Sequence, residues 1–237
     1  MITIVTAIKN GEKDILNLIF SLNNQTSTNF QWLVIDSLST DNSINLIKEN
    51  ATFNFRIYSQ EDFSIYHAMN IAVAKLETEY YCIAGCDDTF SLDFVSKINA
   101  ILSKKKYDLI LGCVFSKNKT IFPFVTKKWL SPVNASHSVG TVIRTDIHKV
   151  VGMYSRMYPI VADKKLVMDI ERNSTNIYYS ESIFGEYSQD GFSSVNSLAY
   201  ICDLFKLQVS YNNKILLQIL LFIFRISKLL LFSKNKV

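Results

Sequence analysis

The sequence predicts an α/β domain with a mostly parallel central sheet flanked by helices, followed by a C-terminal amphipathic helix. Three observations carry that reading. Short β-branched and apolar runs alternate with stretches of helical periodicity, which is the signature of βαβ units. Acidic residues recur where the apolar runs end. From Leu204 onward the chain is apolar and basic, with no Asp or Glu.

The run "ITIVTAI" (2–8) has the continuous apolar character of a strand covered on both faces. In "EKDILNLIFSLN" (12–23), Ile15, Leu18, Ile19 and Leu22 fall at helical spacing. "FQWLVID" (30–36) is a second buried strand, ending on Asp36. "STDNSINLIKEN" follows as a helix, with Ser39 or Thr40 as its expected N-cap. "FNFRIYS" is a third, short strand, and "SIYHAMNIAVAKLE" is a helix with Ala68, Ile71, Ala72 and Leu76 along one face. The strand "EYYCIAG" then runs into the pair Asp87–Asp88. "LDFVSKINAILSKK" returns to helix and "YDLILGCVFS" to strand. Beyond residue 115 the alternation weakens to strand, loop, strand, a short helix at "DKKLVMDIER" and a late strand at "NIYYSESIFGEYS". With no repeat or flexible linker, 1–195 reads as one domain and 196–237 as a helical tail.

With 237 residues, 49% hydrophobic and only three Pro, the chain has the means to bury a sizeable core, which excludes global disorder. "MITIVTAIKN" has no basic stretch before its apolar run, so no signal peptide is expected. The four cysteines, Cys82, Cys86, Cys113 and Cys202, lack zinc or CxxC spacing and read as free thiols in a reducing cytosol. No GxxxxGK[ST] loop, no GxGxxG after the first strand and no GxSxG elbow is present.

In open α/β sheets, ligands bind beyond the carboxyl ends of the strands. That rule selects the stretch from Thr6 to Asn10, then Asp36, then Glu61 and Asp62, then Asp87 and Asp88. Adjacent carboxylates on such a loop suit a hard divalent cation, Mg²⁺ or Mn²⁺, shared with substrate phosphates. The competing reading of Asp87–Asp88 is a solvated turn or the cap of the helix after Ser91.

Two stretches, "ITIVTAIKNGEKDILNLIFSLNNQTSTNFQWLVIDSLSTDNSINLI" and "SQEDFSIYHAMNIAVAKLETEYYCIAGCDD", together resemble the N-terminal half of family 2 inverting glycosyltransferases. These have the GT-A (Rossmann-like) nucleotide-sugar-binding fold. The resemblance is greatest to small bacterial members acting in exopolysaccharide, colanic-acid-type and O-antigen assembly, and it covers roughly 1–195. It implies that Thr6, Ala7 and Asp36 hold the nucleotide base, usually uracil, and that Asn10 is among the substrate-binding residues. Asp36 reads equally as a helix-start cap. Glu61 and Asp62 match the acidic step before a "GIYDAMN"-like helix, to which Tyr66 and Asn70 belong; core packing is the other use for Tyr66. Asp88 matches the metal ligand and Asp87 the residue facing the ribose or the metal shell, with Cys86 at the first position of the family's Asp-x-Asp motif.

Further on, "SHSVGTVIR" and "YPIVADKKLVMDI" resemble later family stretches. These imply His137 near the acceptor or diphosphate and Asp163 as the general base that takes the acceptor's proton. A solvated loop histidine and a helix N-cap are the respective alternatives. "QDGFSS" implies Gly191 and Ser193 near the diphosphate. Lys9, Ser64, His67, Ser138 and Lys164-Lys165 depart from the family's usual residues, and bear on donor sugar and acceptor. A catalytically silent nucleotide-binding or scaffold subunit is the alternative function.

The net charge of +4 is unevenly placed. Six basic residues lie after Leu204, so the first 203 residues carry 19 basic against 21 acidic groups. A nearly neutral body with a basic apolar tail argues for an anionic membrane surface rather than nucleic acid. In 214–232, Gln218, Arg225 and Lys228 interrupt the ~18 apolar residues a spanning helix needs. With Lys214 they fall on one narrow face, so the helix is expected to lie in the interface, cations at the headgroups. Packing on the domain or in a homo-oligomer is the alternative. The expected setting is the cytoplasmic face of the inner membrane, with a UDP-sugar as donor and a saccharide, lipid-linked, as acceptor.

Overall fold

The structure is a computed structural model, and it describes residues 1–123, 137–188, 197–211 and 214–233. Its first half alternates strand and helix: β1 (Ile2–Ile8), α1 (Ile15–Asn23), β2 (Phe30–Asp36), α2 (Ser43–Asn50), β3 (Phe55–Ser59), α3 (Ile65–Ala74) and β4 (Tyr80–Ile83). A two-residue strand β5 (Thr89–Phe90) precedes α4 (Phe94–Lys104), β6 (Leu109–Ser116) and β7 (Lys119–Ile121). After a 3₁₀ turn (Ser138–Gly140) come β8 (Thr141–Arg144), α5 (Thr145–Val151), α6 (Ala162–Asn173) and β9 (Ile177–Glu186). Helices α7 (Ser197–Tyr211) and α8 (Ile215–Ser233) end the described chain.

Side-chain alternation along β1 and β2 divides the core between the two sheet faces. Ile2, Ile4 and Ile8 share one face with Trp32 and Val34, covered by Ile15, Leu18, Ile19 and Leu22 of α1 and Phe94 and Ile98 of α4. Val5, Leu33 and Ile35 share the other, covered by Ala68, Met69, Ala72 and Val73 of α3 and Leu166, Val167 and Ile170 of α6. Cover on both faces is why these strands read as unbroken apolar runs.

The sheet order is β3-β2-β1-β4-β8-β6-β9-β5, with β7 beside β6. Strands β1 to β4 are parallel, as expected from the alternation. The second half makes the sheet mixed: β8 runs antiparallel to both β4 and β6, and β5 antiparallel to β9. Part of the cause is local. Lys117 and Asn118, at φ 47 and 60, make the two-residue left-handed turn that folds β7 back on β6. The chain also leaves the centre of the sheet at β4 and joins its far edge at β5 within a few residues, so the sheet curls around that connection.

Three details differ from the sequence reading. The cap of α2 is Asn42, because Ser39 and Thr40 are engaged elsewhere. The Asn10 amide N–H donates to Ser39 Oγ at 2.9 Å, and Thr40 N–H donates to Asn10 Oδ1 at 2.8 Å. Helix α5 was not expected, since seven residues carry too little periodicity to stand out. Helix α8 forms as expected, but its polar face is divided: Gln218 is fully buried and Arg225 half-buried, Lys214 and Lys228 are exposed, and so are the apolar Leu216, Leu220 and Phe224. Arg225, half-buried, and Lys228, exposed, both line a cleft. No described helix is long and apolar enough to cross a membrane.

Candidate active site

A cleft of about 860 Å³ opens between the end of β4 and the helices α3, α6, α7 and α8, and Tyr66, Asp87, Asp88, His137 and Asp163 all line it. The structure thus brings together five of the side chains selected from sequence.

Its floor is the turn after β4. Ala84 N–H still bonds to Val5 O of β1 at 2.9 Å, and the chain turns immediately beyond. Asp88 folds back, so that its Oδ2 accepts the Gly85 N–H at 2.7 Å. A Cβ on Gly85 would stand 2.6 Å from Asp87 Oδ1 and 3.3 Å from Asp88 Oδ2. Glycine is therefore what lets both carboxylates close around this backbone, a role the spacing alone did not reveal. The two acids are unequal: Asp87 is half-exposed, and Asp88 is 1% exposed. Burial pushes the Asp88 carboxyl up to about 8, the Gly85 hydrogen bond opposes that rise, and the charge of Asp87 adds to it. Neither aspartate caps the following helix, which starts at Phe94 after Asp93.

His137 stands over this floor, its Nδ1 3.9 Å from Asp88 Oδ2. Its ring stacks on Tyr187 with centroids 4.1 Å apart and planes 6° from parallel. Burial lowers its pKa to about 4, with Asp163 opposing and Lys164 reinforcing the shift. The imidazole is thus neutral near pH 7, and its approach to Asp88 is not an ion pair there.

The wall is built around Asp163, in the first turn of α6 behind the cap residue Val161. The Tyr66 hydroxyl lies 2.8 Å from Asp163 Oδ1 and 2.9 Å from Ile160 O, sharing one proton between two acceptors. Burial, then the charge of Asp163, raises the Tyr66 pKa well above its ordinary value, so it stays a proton donor. Tyr66 is also core, stacked on Tyr154 at 5.5 Å and 22°. Asn70 holds Tyr154 by its backbone: Nδ2 donates to Tyr154 O at 3.0 Å and Oδ1 accepts Tyr154 N–H at 2.9 Å. Behind Tyr154, Tyr81 bonds His148 Nδ1. Sequence reasoning missed Tyr154 and His148, which sit outside any periodic pattern.

The residues expected around a nucleotide base lie at the ends of β1 and β2, apart from the side chains lining this cleft. Thr6 is fully buried and its Oγ1 accepts the Trp32 indole N–H at 3.0 Å, while Ala7 is half-buried on the opposite face. Asp36 is buried, and its Oδ1 accepts Ser39 N–H at 2.9 Å. Asn10, at φ 55, ties this edge to the loop after β2 through Ser39 and Thr40. Glu61 and Asp62 lie in the loop before α3, Glu61 exposed and Asp62 half-buried. Gly191 and Ser193 lie outside the described residues.

Asp87 and Asp88 offer the hard oxygens a divalent cation takes. Among the described residues no three His, Cys, Asp or Glu gather into a metal-holding group. A cation here would complete its shell from substrate phosphates and water, the usual mode of Mg²⁺.

The fold is shared with solved nucleotide-sugar enzymes. The mannosyltransferase PcManGT from Pyrobaculum calidifontis, solved with GDP-Man and Mn²⁺, superposes with a TM-score of 0.71 at 14% identity, covering 88% of this chain and 63% of that one. TarS from S. aureus, solved with UDP-GlcNAc, gives 0.68 at 15% identity, covering 92% of this chain and 69% of that one. In sequence, an uncharacterized glycosyltransferase of Haemophilus influenzae is 21% identical over 208 residues, which are 77% of this chain. The match spans 64% of that relative's length. Residues 3–157 match Glycosyl transferase family 2, and this covers β1 through α5 with the whole of the β4 floor. The chain belongs to glycosyl transferase family 2.

Proposed function

We propose that this protein is a metal-dependent, inverting glycosyltransferase that moves a sugar from a nucleotide diphosphate, a UDP-sugar, to a saccharide acceptor. The observation that carries the proposal is one cleft holding a strand-end carboxylate pair, with Asp88 buried and Asp87 half-exposed, and, from a different element, Asp163 with its Tyr66 partner. Lewis-acid neutralisation of the departing diphosphate would come from Mn²⁺ or Mg²⁺ held by Asp88, with Asp87 beside it. His137, neutral and stacked, faces that side of the cleft. Asp163 takes the acceptor hydroxyl's proton, its carboxylate oriented by Tyr66. Attack from the face opposite the leaving group gives inversion. The nucleotide end falls to Asp36 and the β1 edge, and Mn²⁺ with GDP-Man in one neighbour and UDP-GlcNAc in another support a nucleotide-sugar donor.

The acceptor is placed in bacterial surface polysaccharide assembly, lipid-linked and met at the cytoplasmic face of the inner membrane. The exposed apolar side of α8 supports membrane contact; an equivalent surface on a second copy is the competing use. Deleting 212–237 then releases the protein from the membrane pellet. Sedimentation with membranes after deletion would count against the tail as anchor. The proposal as a whole is tested by screening UDP-, GDP- and dTDP-sugars for Mn²⁺-dependent binding and slow hydrolysis. Binding of UDP-sugars with hydrolysis is the expected result. Binding without hydrolysis or transfer would identify a silent nucleotide-binding subunit instead.

A further inference from the structure

Helix α8 places two cations on the lining of the cleft, Arg225 half-buried and Lys228 at an exposed position. Arg225 and Lys228 line it together with Lys164 of α6 and Tyr200 of α7. The Arg225 guanidinium is fixed from α7, its Nη1 donating to Gln208 Oε1 at 2.7 Å, and Gln208 is itself fully buried. The Lys164 ammonium lies 5.4 Å from the centroid of the Tyr200 ring, and the same tyrosine acts on Arg225. Cations from two helices therefore converge around one aromatic side chain.

Their placement runs against the usual habit of a surface helix, which gives its polar side chains to solvent and its apolar ones to the core. Here Leu216, Leu220, Phe224 and Leu231 are exposed, while Gln218 is buried and Arg225 half-buried; Lys228 lines the cleft and is also open to solvent. The floor of the cleft is acidic, so a donor diphosphate there is matched by a divalent cation. Positive charge elsewhere on the cleft lining suits a second anion. The side chains beside these cations, Ile201, Leu204 and Leu229, are apolar.

We propose that Arg225 and Lys228, with Lys164 beside them, form a subsite for a phosphate group on the acceptor, and that this phosphate is esterified to an apolar chain. The inference rests on the glycosyltransferase reading of the same cleft and adds the chemical class of the acceptor. Guanidinium and ammonium donors pair strongly with phosphate oxygens when partly desolvated.

The test uses the full chain saturated with UDP and Mn²⁺, so that the donor site is filled. Decyl phosphate, inorganic phosphate and neutral decyl glucoside are titrated separately by calorimetry, below micelle-forming concentrations. Decyl phosphate is expected to bind at least about tenfold more tightly than either control, a difference of about 1.4 kcal/mol. The double substitution Arg225→Gln, Lys228→Gln is expected to remove that preference, and Arg225→Lys to restore part of it in the Lys228 background; melting temperature reports folding. Equal binding of decyl phosphate and either control in the unsubstituted protein overturns the proposal, whatever the variants do. Decyl phosphate that binds the UDP-free protein but not the UDP-saturated protein also overturns it, because the cations would then serve the donor. Failure of the underlying enzyme reading looks different: UDP itself would not bind.

Discussion

The floor of the cleft comes from one tight turn, Gly85 to Asp88, whereas its wall draws on residues as far apart in sequence as Tyr66 and Lys228. The floor is held by backbone: a short Gly85–Asp88 hydrogen bond and a glycine that admits no side chain. The wall is held by packing, with Tyr66 clamped between Asp163, Ile160 and Tyr154. A site divided this way separates two tasks. The rigid, local part suits a metal and a leaving group, whose geometry is common to many donors. The assembled part suits a base and an acceptor, which vary.

The largest expected effect tests the floor. Asp88→Asn keeps the shape of the side chain and removes the ionisable carboxyl that a cation would take. A Lewis acid contributes several kcal/mol at a departing diphosphate, so Mn²⁺-dependent donor turnover should fall on the order of 10³-fold. Both hydrolysis and transfer should be lost together. An unchanged Mn²⁺ titration of turnover would remove Asp88 from the floor's task.

Asp163→Asn, on the wall, should divide the two activities. General-base loss costs roughly 10²–10⁴-fold. Transfer should fall by that amount while UDP binding, read by calorimetry, stays close to the unsubstituted value. If donor binding falls in parallel with transfer, wall and floor are one unit and the division fails.

A third expectation concerns what stands behind the wall. His148 is fully buried, its Nδ1 bonded to Tyr81 and its Nε2 without a hydrogen-bond partner among the described residues, and Tyr154 packs edge-on against it. Burial lowers its pKa from 6.5 to about 4. The unfolded chain therefore binds this proton first as pH falls. The associated stability is fully present above pH 6.5 and is lost as pH drops toward 4, about 3 kcal/mol in all. Urea midpoints measured from pH 7 to pH 4 should show this slope together with that of His137, and His148→Gln should remove the His148 share and leave a shallower slope. An identical slope in the variant would assign the acid sensitivity elsewhere.

The same division decides what the sequence makes legible. Strand ends are readable because a buried parallel strand is a continuous apolar run, so Asp36, Asp87 and Asp88 stand out where the run stops. β1 and β2 match the sequence reading to the residue for that reason. Asp163 is one of several acids in a helical stretch, and only resemblance singles it out. Tyr154, His148 and Gly85 carry no period and no motif, since their roles exist only after distant elements pack. The tail shows the limit from the other side. Periodicity finds the polar face of α8 correctly, but it cannot say whether that face looks toward water or toward a polar cleft. Arg225 takes the cleft side, where Gln208 accepts its hydrogen bond and Tyr200 stands nearby.

The smallest expected effect asks how far the wall depends on local sequence. Helix α3, which carries Tyr66 and Asn70, begins at Ser64, whose Oγ accepts His67 N–H at 3.2 Å. Removing such a cap costs about 1 kcal/mol. Ser64→Ala should therefore lower the melting temperature by about 2–4 °C for a chain of this length. Ser64 is exposed, but Tyr66, Ala68, Met69, Ala72 and Val73 are buried, so packing fixes the helix independently of its first turn. The transfer rate should change less than about twofold, because the loss falls on global stability and not on the Tyr66–Asp163 geometry. A tenfold loss of transfer with an unshifted melting temperature would show instead that the wall is set locally, like the floor, and would erase the contrast between them.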